Sequence, residues 1–188
     1  MPEQLHFTGD PEADSLIASE ALALLIGFAL DQQVTVQKAF SSPLELKRRL
    51  GGVLNAAEIA GMDASELERV FREKPALHRF PGAMATRVQE LCRTIVSDYG
   101  GDAASLWQTA ADGGELRSRI AALPGFGEMK VKALGSVLAK RFGVEAARAL
   151  VPPHPTLGDV DSPEALERYQ EQKRAHKAKL RAGAGTTG

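Results

Sequence analysis

The sequence predicts an all-α fold, a compact helical bundle containing a helix-hairpin-helix. Strand-like alternation of apolar and polar residues is nearly absent, while apolar residues recur at helical spacing between recognisable caps. The 18 glycines and 10 prolines are dispersed as punctuation rather than gathered into low-complexity tracts. Leu123-Pro124-Gly125-Phe126-Gly127 stands between two helical segments, far from any strand. With 188 residues, 44% of them apolar, the chain suits one globular domain with short tails.

Residues 1–14 read as an irregular arm that Leu5 and Phe7 pin to the body. From Ser15 to Leu30 the chain is apolar on nearly every side, which places one helix in the middle of a bundle. Ser42-Pro43 reads as a helix start, with Ser as N-cap and Pro in the first turn. Asn55 and Asp63 are similar caps, and Asp63 with Glu66 forms a capping box; Pro75 closes that helix. A second periodic stretch runs from Ala83 to Tyr99 and stops at Gly100-Gly101. Short helices over 103–110 and 115–121 lead into the glycine turn. Val131, Leu134, Val137, Leu138 and Phe142 then trace one face, ended by Gly143. Pro152, Pro153 and Pro155 impose a linker containing an exposed His154. The domain is expected to span 15–161, followed by a basic helix over 162–181 that starts at Ser162-Pro163, and a disordered tail over 182–188.

Charge and cysteine content exclude several classes. No apolar run reaches the roughly 20 residues that span a bilayer. The N-terminus lacks the basic start of a secretory signal, so a cytoplasmic, nucleoid-associated location is expected. The single cysteine, Cys92, excludes an internal disulfide framework and a four-cysteine metal or iron–sulfur site. The net charge of −1 argues against indiscriminate nucleic-acid binding, yet it is unevenly spread. Residues 1–31 carry six acids and no Lys or Arg, whereas Lys173–Arg181 holds five basic residues and no acid. That stretch is either a basic binding face or a solvated helix.

The glycine turn is the most informative stretch. Two glycines two apart, opening a helix, leave backbone N–H groups uncovered beside a positive dipole end. Phosphate is the natural ligand of such a nest. Leu123 and Phe126 would lock the turn to its helices, and Lys130 and Lys132 would add charge at a DNA backbone. The competing reading is a plain helix–helix turn, or one that serves a protein partner.

Three segments carry a resemblance. They are Leu123–Gly143, the stretch Leu25-Ile26-Gly27-Phe28-Ala29-Leu30-Asp31-Gln32-Gln33-Val34-Thr35, and Phe80-Pro81-Gly82 with the helix after it. Together they resemble the HhH-GPD superfamily of base-excision DNA glycosylases, the group of endonuclease III and the 3-methyladenine glycosylases. More narrowly, the chain is similar to small actinobacterial members of that superfamily. The resemblance implies a monomer that binds damaged double-stranded DNA through Leu123, Pro124, Gly125, Phe126, Gly127, Lys130 and Lys132. It implies that Gln33, with Gln32 beside it, fills the gap left by a flipped base. In the alternative reading both glutamines cap the preceding helix, and Asp31 is either a local cap or a pocket acid.

The chain departs from the family pattern in two places. Family members carry an aspartate about twenty residues past the hairpin, which supports the positive charge formed as the base leaves. No aspartate occurs here between Met129 and Gly158. Asp159 is the first candidate and Asp161 the alternative. The bifunctional branch forms a Schiff base with a lysine at the position held here by Met129. Lys130, one residue on, lies about 100° around the helix. A monofunctional glycosylase is therefore expected, with a non-catalytic damaged-DNA binder as the alternative. No cofactor or metal is expected, although a monovalent or divalent cation at the hairpin carbonyls is allowed. His78-Arg79 lines a base pocket, touches phosphate, or is a satisfied loop pair.

Overall fold

A computed structural model describes residues 2–185. Among these residues every regular element is helical, and no strand occurs. The order is α1 (Pro11–Ser19), α2 (Ala21–Leu30), α3 (Val36–Arg49), α4 (Ala56–Gly61), α5 (Ala64–Arg72) and α6 (Pro81–Tyr99). Then come α7 (Ser105–Gln108), α8 (Gly113–Ala121), α9 (Glu128–Lys140), two short 3-10 helices (Glu145–Leu150 and Leu157–Asp159) and α10 (Pro163–Ala184). No single helix is long and apolar enough to cross a membrane among the described residues.

One hydrophobic cluster runs from Leu5 to Leu166. Helices α1 to α6 pack mainly on one another, and α7 to α9 with the 3-10 helices form a second group on the same core. At its centre lies α2, with nine of its ten residues buried. Its Gly27 lets α3 approach closely: a β-carbon there would stand 2.4 Å from Phe40 Cδ1. Phe40 meets Phe7 and Phe28 edge-on, both at centroid distances of 5.0 Å. The arm is fastened by Leu5 and Phe7 and by the Asp14 carboxylate, which accepts from the Phe7 and Thr8 N–H groups.

Three expectations need correction. The helix over 15–30 is two helices, and helix begins at Pro11, so the arm ends at Asp10. The Asp10 side chain caps α1 through the Glu12 N–H, and α1 and α2 meet at 112° across an extended Glu20. Lys47, on α3, holds the Glu20 carboxylate at 2.5 Å. Ser42-Pro43 lies inside α3 rather than opening a helix; Thr35 is the N-cap, accepting from the Lys38 N–H. Ser42 instead donates its hydroxyl to the Lys38 and Leu77 carbonyls, tying α3 to the loop before α6 where Pro43 withholds a helical donor. Finally, α10 persists to Ala184, so residues 182–184 of the expected tail are helical; residues 186–188 lie outside the described residues. Other expectations match. Asn55, Asp63 and Ser162 are N-caps, Gly100 is left-handed at the end of α6, Trp107 is core and His154 is exposed.

Filling the Gly27 notch tests this packing. Gly27→Ala should destabilise the protein by about 1–3 kcal/mol, read from its urea midpoint, because Phe40 is fully buried and held edge-on by Phe7 and Phe28. A wild-type midpoint would show that α2 and α3 are not in this contact.

Candidate nucleic-acid interface

The turn between α8 and α9 is built as the sequence suggests. Leu123 and Phe126 are buried and the Phe126 N–H donates to the Leu123 carbonyl, while Gly125 is left-handed at φ 77°. Pro124 is half-buried; Gly125 and Gly127 are exposed. The first bond of α9 runs from the Val131 N–H to the Gly127 carbonyl, and no side chain caps the helix. The Gly127, Glu128, Met129 and Lys130 N–H groups therefore precede the helical ladder. A β-carbon on Gly127 would meet nothing within 4 Å, whereas one on Gly125 would fall 2.0 Å from Arg87 Nη1.

Arg87, on α6, is a charged group at this turn that the sequence did not single out. It packs over Gly125 and has no ion pair among the described residues. The two lysines divide. Lys132 leans on Glu128 at 3.8 Å, and Arg117 also pairs with Glu128, so one carboxylate tempers the charge at the helix start. Lys130 turns inward instead, its ammonium lying 5.5 Å from the Phe126 ring centroid and donating to the Ala29 carbonyl at 3.3 Å. Burial pulls its pKa down to about 8, Asp31 opposing and nearby Arg87 adding to the fall.

Ala29 is in the last turn of α2, so Lys130 joins the glycine turn to the Asp31-Gln32-Gln33 segment. The glutamines there have different surroundings. Gln32 Nε2 faces the Ala29 carbonyl and the Met84 sulfur, each at 3.4 Å, and so closes the helix end. Gln33 is exposed with φ 56°, a left-handed backbone that non-glycine residues seldom adopt. Asp31 is half-buried, and its carboxylate has no hydrogen bond or ion pair among the described residues. Burial raises its pKa against the pull of Lys173 and Lys130.

His78 holds this segment from the other side. Its Nδ1 accepts the Phe80 N–H, so Nε2 carries the proton and donates to the Leu30 and Gln32 carbonyls at 3.1 and 3.0 Å. The imidazole is buried; its partners make it a satisfied loop residue that positions Gln32 and Gln33. Arg79 lies over the Phe80 ring instead.

The C-terminal aspartates sit elsewhere. Asp159 Oδ1 accepts from Lys140 Nζ at 2.5 Å, and Oδ2 accepts from the Thr156 N–H at 2.8 Å, closing a capping box on the second 3-10 helix. Burial raises its pKa, but these bonds and the charges of Lys140 and Arg141 leave it below the ordinary value. It lines an open pocket of about 320 Å³ with Lys140, Arg168 and Tyr169. Asp161 is exposed just before the Ser162 cap of α10. Met129 points to solvent, 81% exposed. Cys92 is buried in α6, its thiol pushed up to about 12 by burial.

The described residues thus make an all-α protein in which an uncapped, glycine-opened helix is tied through Lys130 to the helix end that the exposed Gln33 follows. No family model, curated protein or solved structure matches the chain.

The His78 geometry has a pH signature. Burial, the leading cause, and the charges of Lys38 and Lys130 lower its pKa despite its two carbonyl partners. The unfolded chain then binds the extra proton first, so this stabilisation is complete above about pH 6.5 and is lost as pH falls through the folded value. Urea unfolding at stepped pH should show that limb, and His78→Gln should flatten it. An unchanged limb in His78→Gln would contradict the buried neutral imidazole.

Proposed function

We propose that this protein grips double-stranded DNA at a damaged or mismatched base and removes that base as a monofunctional glycosylase. The observation that supports the reading is the Lys130–Ala29 contact, which ties the first turn of the glycine-opened helix to the end of α2, where Asp31 and the exposed Gln33 follow. The free N–H groups of α9 and the Arg87 guanidinium suit a phosphate, charge-assisted and in a site with no blocking β-carbon at Gly127. Gln33, already projecting, fills the hole of a flipped nucleotide and offsets part of the unstacking cost.

Cleavage of an N-glycosidic bond sends the bonding electron pair out with the base and leaves positive charge on the sugar. Water then adds at the anomeric carbon and loses its proton, giving free base and an abasic site. A carboxylate facing the sugar stabilises that charge. Both oxygens of Asp159 are engaged in structure-bearing bonds, whereas those of Asp31 are not. We therefore assign the role to Asp31 ahead of Asp159 and Asp161. With Met129 outermost on α9, no lysine stands at the Schiff-base position and no strand cleavage follows. The engagement of Asp159 also favours a second reading, damage binding without cleavage.

Duplexes each carrying one lesion, incubated with excess protein and then alkali, test the reaction. One lesion should yield abasic sites, with Asp31→Asn slowing release by about 10²–10³-fold and Asp159→Asn acting mainly on stability. Tight binding with no abasic product would move the second reading into first place. Gly127→Asp should fold, since its side chain enters open space, yet lose at least about tenfold in duplex affinity. Full affinity in a folded Gly127→Asp would sink the assignment of the turn.

A further inference from the structure

Beyond Gln170, α10 adds no buried residue to the core. Ala165 and Leu166 are its only buried residues, Tyr169 packs partly on the core, and Gln170 exchanges two hydrogen bonds with Gln37 of α3. Every residue from Glu171 to Gly185 is exposed. A helical extension of that length is marginal in water without packing. From Glu171 to Arg181 its surface is open to a partner.

The helix repeat says what that partner sees. At 100° per residue the docked face of Leu166, Tyr169 and Gln170 continues through exposed Lys173, Lys177 and Arg181, with Arg174 on its flank. Of the acids of α10, Glu164 and Glu171 lie about 140–160° from Leu166, Glu167 borders the Arg174 flank, and none follows Glu171. None of the five cations from Lys173 to Arg181 forms an ion pair among the described residues; Lys173 only rests 5.8 Å from the Tyr169 ring centroid. The stripe also leaves the body at the right place. Gln170, three residues before Lys173, is bonded to Gln37 in the first turn of α3, so the arm departs close to the segment that carries Gln33.

We propose that Lys173, Lys177 and Arg181 form an arm that follows the phosphates of duplex DNA flanking the base site. This rests on reading the glycine turn and Gln33 as a DNA interface. From Lys173 to Arg181 the helix advances about 12 Å, matching roughly three to four phosphates along one strand. The arm lengthens the footprint and adds a contact that is independent of sequence and of the lesion.

The test is the triple substitution Lys173→Gln, Lys177→Gln, Arg181→Gln in the full chain. Binding to an undamaged and a lesion-bearing duplex is followed by fluorescence anisotropy between about 50 and 200 mM salt. The slope of log affinity against log salt should fall by about 3 in magnitude on both duplexes, and affinity at low salt by at least about tenfold, with circular dichroism unchanged. An unchanged slope would overturn the arm while leaving the turn intact. Wild type that binds no duplex would instead fail the interface reading itself. Charge-dependent binding to phosphatidylglycerol vesicles, with the DNA slope unaltered, would give the stripe to a membrane surface and overturn the proposal.

Discussion

A helix that is apolar on every side has to end inside the protein, and its last carbonyls have to be satisfied there. Helix α2 is such a helix, and the closure of its C-terminal end organises the face described above. The Asp31 N–H takes the Phe28 carbonyl, and Gln32 Nε2 and Lys130 Nζ share that of Ala29. The Gln32 N–H and His78 Nε2 share that of Leu30. Three parts of the chain thus converge on one helix end: the segment after α2, the loop entering α6, and the first turn of α9.

That convergence explains why neighbouring residues have opposite fates. Turning Gln32 inward to close the helix leaves Gln33 outside, and the chain passes from α2 to α3 through a left-handed residue there. Spending Lys130 on Ala29 removes it from the surface of α9 and places a partly desolvated ammonium beside Asp31. Arg87 then stands at the glycine turn as a cation with no ion pair among the described residues. The left-handed backbone of Gly125 makes a glycine necessary there, while Gly127 has neither that backbone nor a close neighbour. Stability and the proposed function draw on the same bonds, so His78, buried behind this segment, governs how Gln33 is presented.

What the sequence made legible was local. The caps at Asn55, Asp63 and Ser162 act over two or three residues, and the burial of α2, Leu123 and Phe126 follows from side-chain type and spacing. The break at Glu20 was hidden because apolar residues flank it on both sides; Lys47, which holds its carboxylate, is 27 residues away. Ser42-Pro43 has the local signature of a helix start and was overridden by Thr35 and by a bond to Leu77. The split between Gln32 and Gln33, the inward turn of Lys130 and the place of Arg87 all depend on contacts between distant segments. The Lys130–Ala29 pair spans 101 residues. Asp159 was visible as a carboxylate, and its capping box with Thr156 is local, but its ion pair with Lys140, 19 residues upstream, was not.

The central claim is that the glycine turn and the end of α2 form one DNA-facing surface. Backbone amide NMR during titration with a duplex containing a stable abasic-site analogue tests it most directly. The account predicts that the Gly125–Lys130 and Asp31–Val34 amides shift together, with a single dissociation constant and ahead of the rest of the fold. Shifts confined to one segment, or centred on the Asp159 pocket with both segments silent, would contradict it.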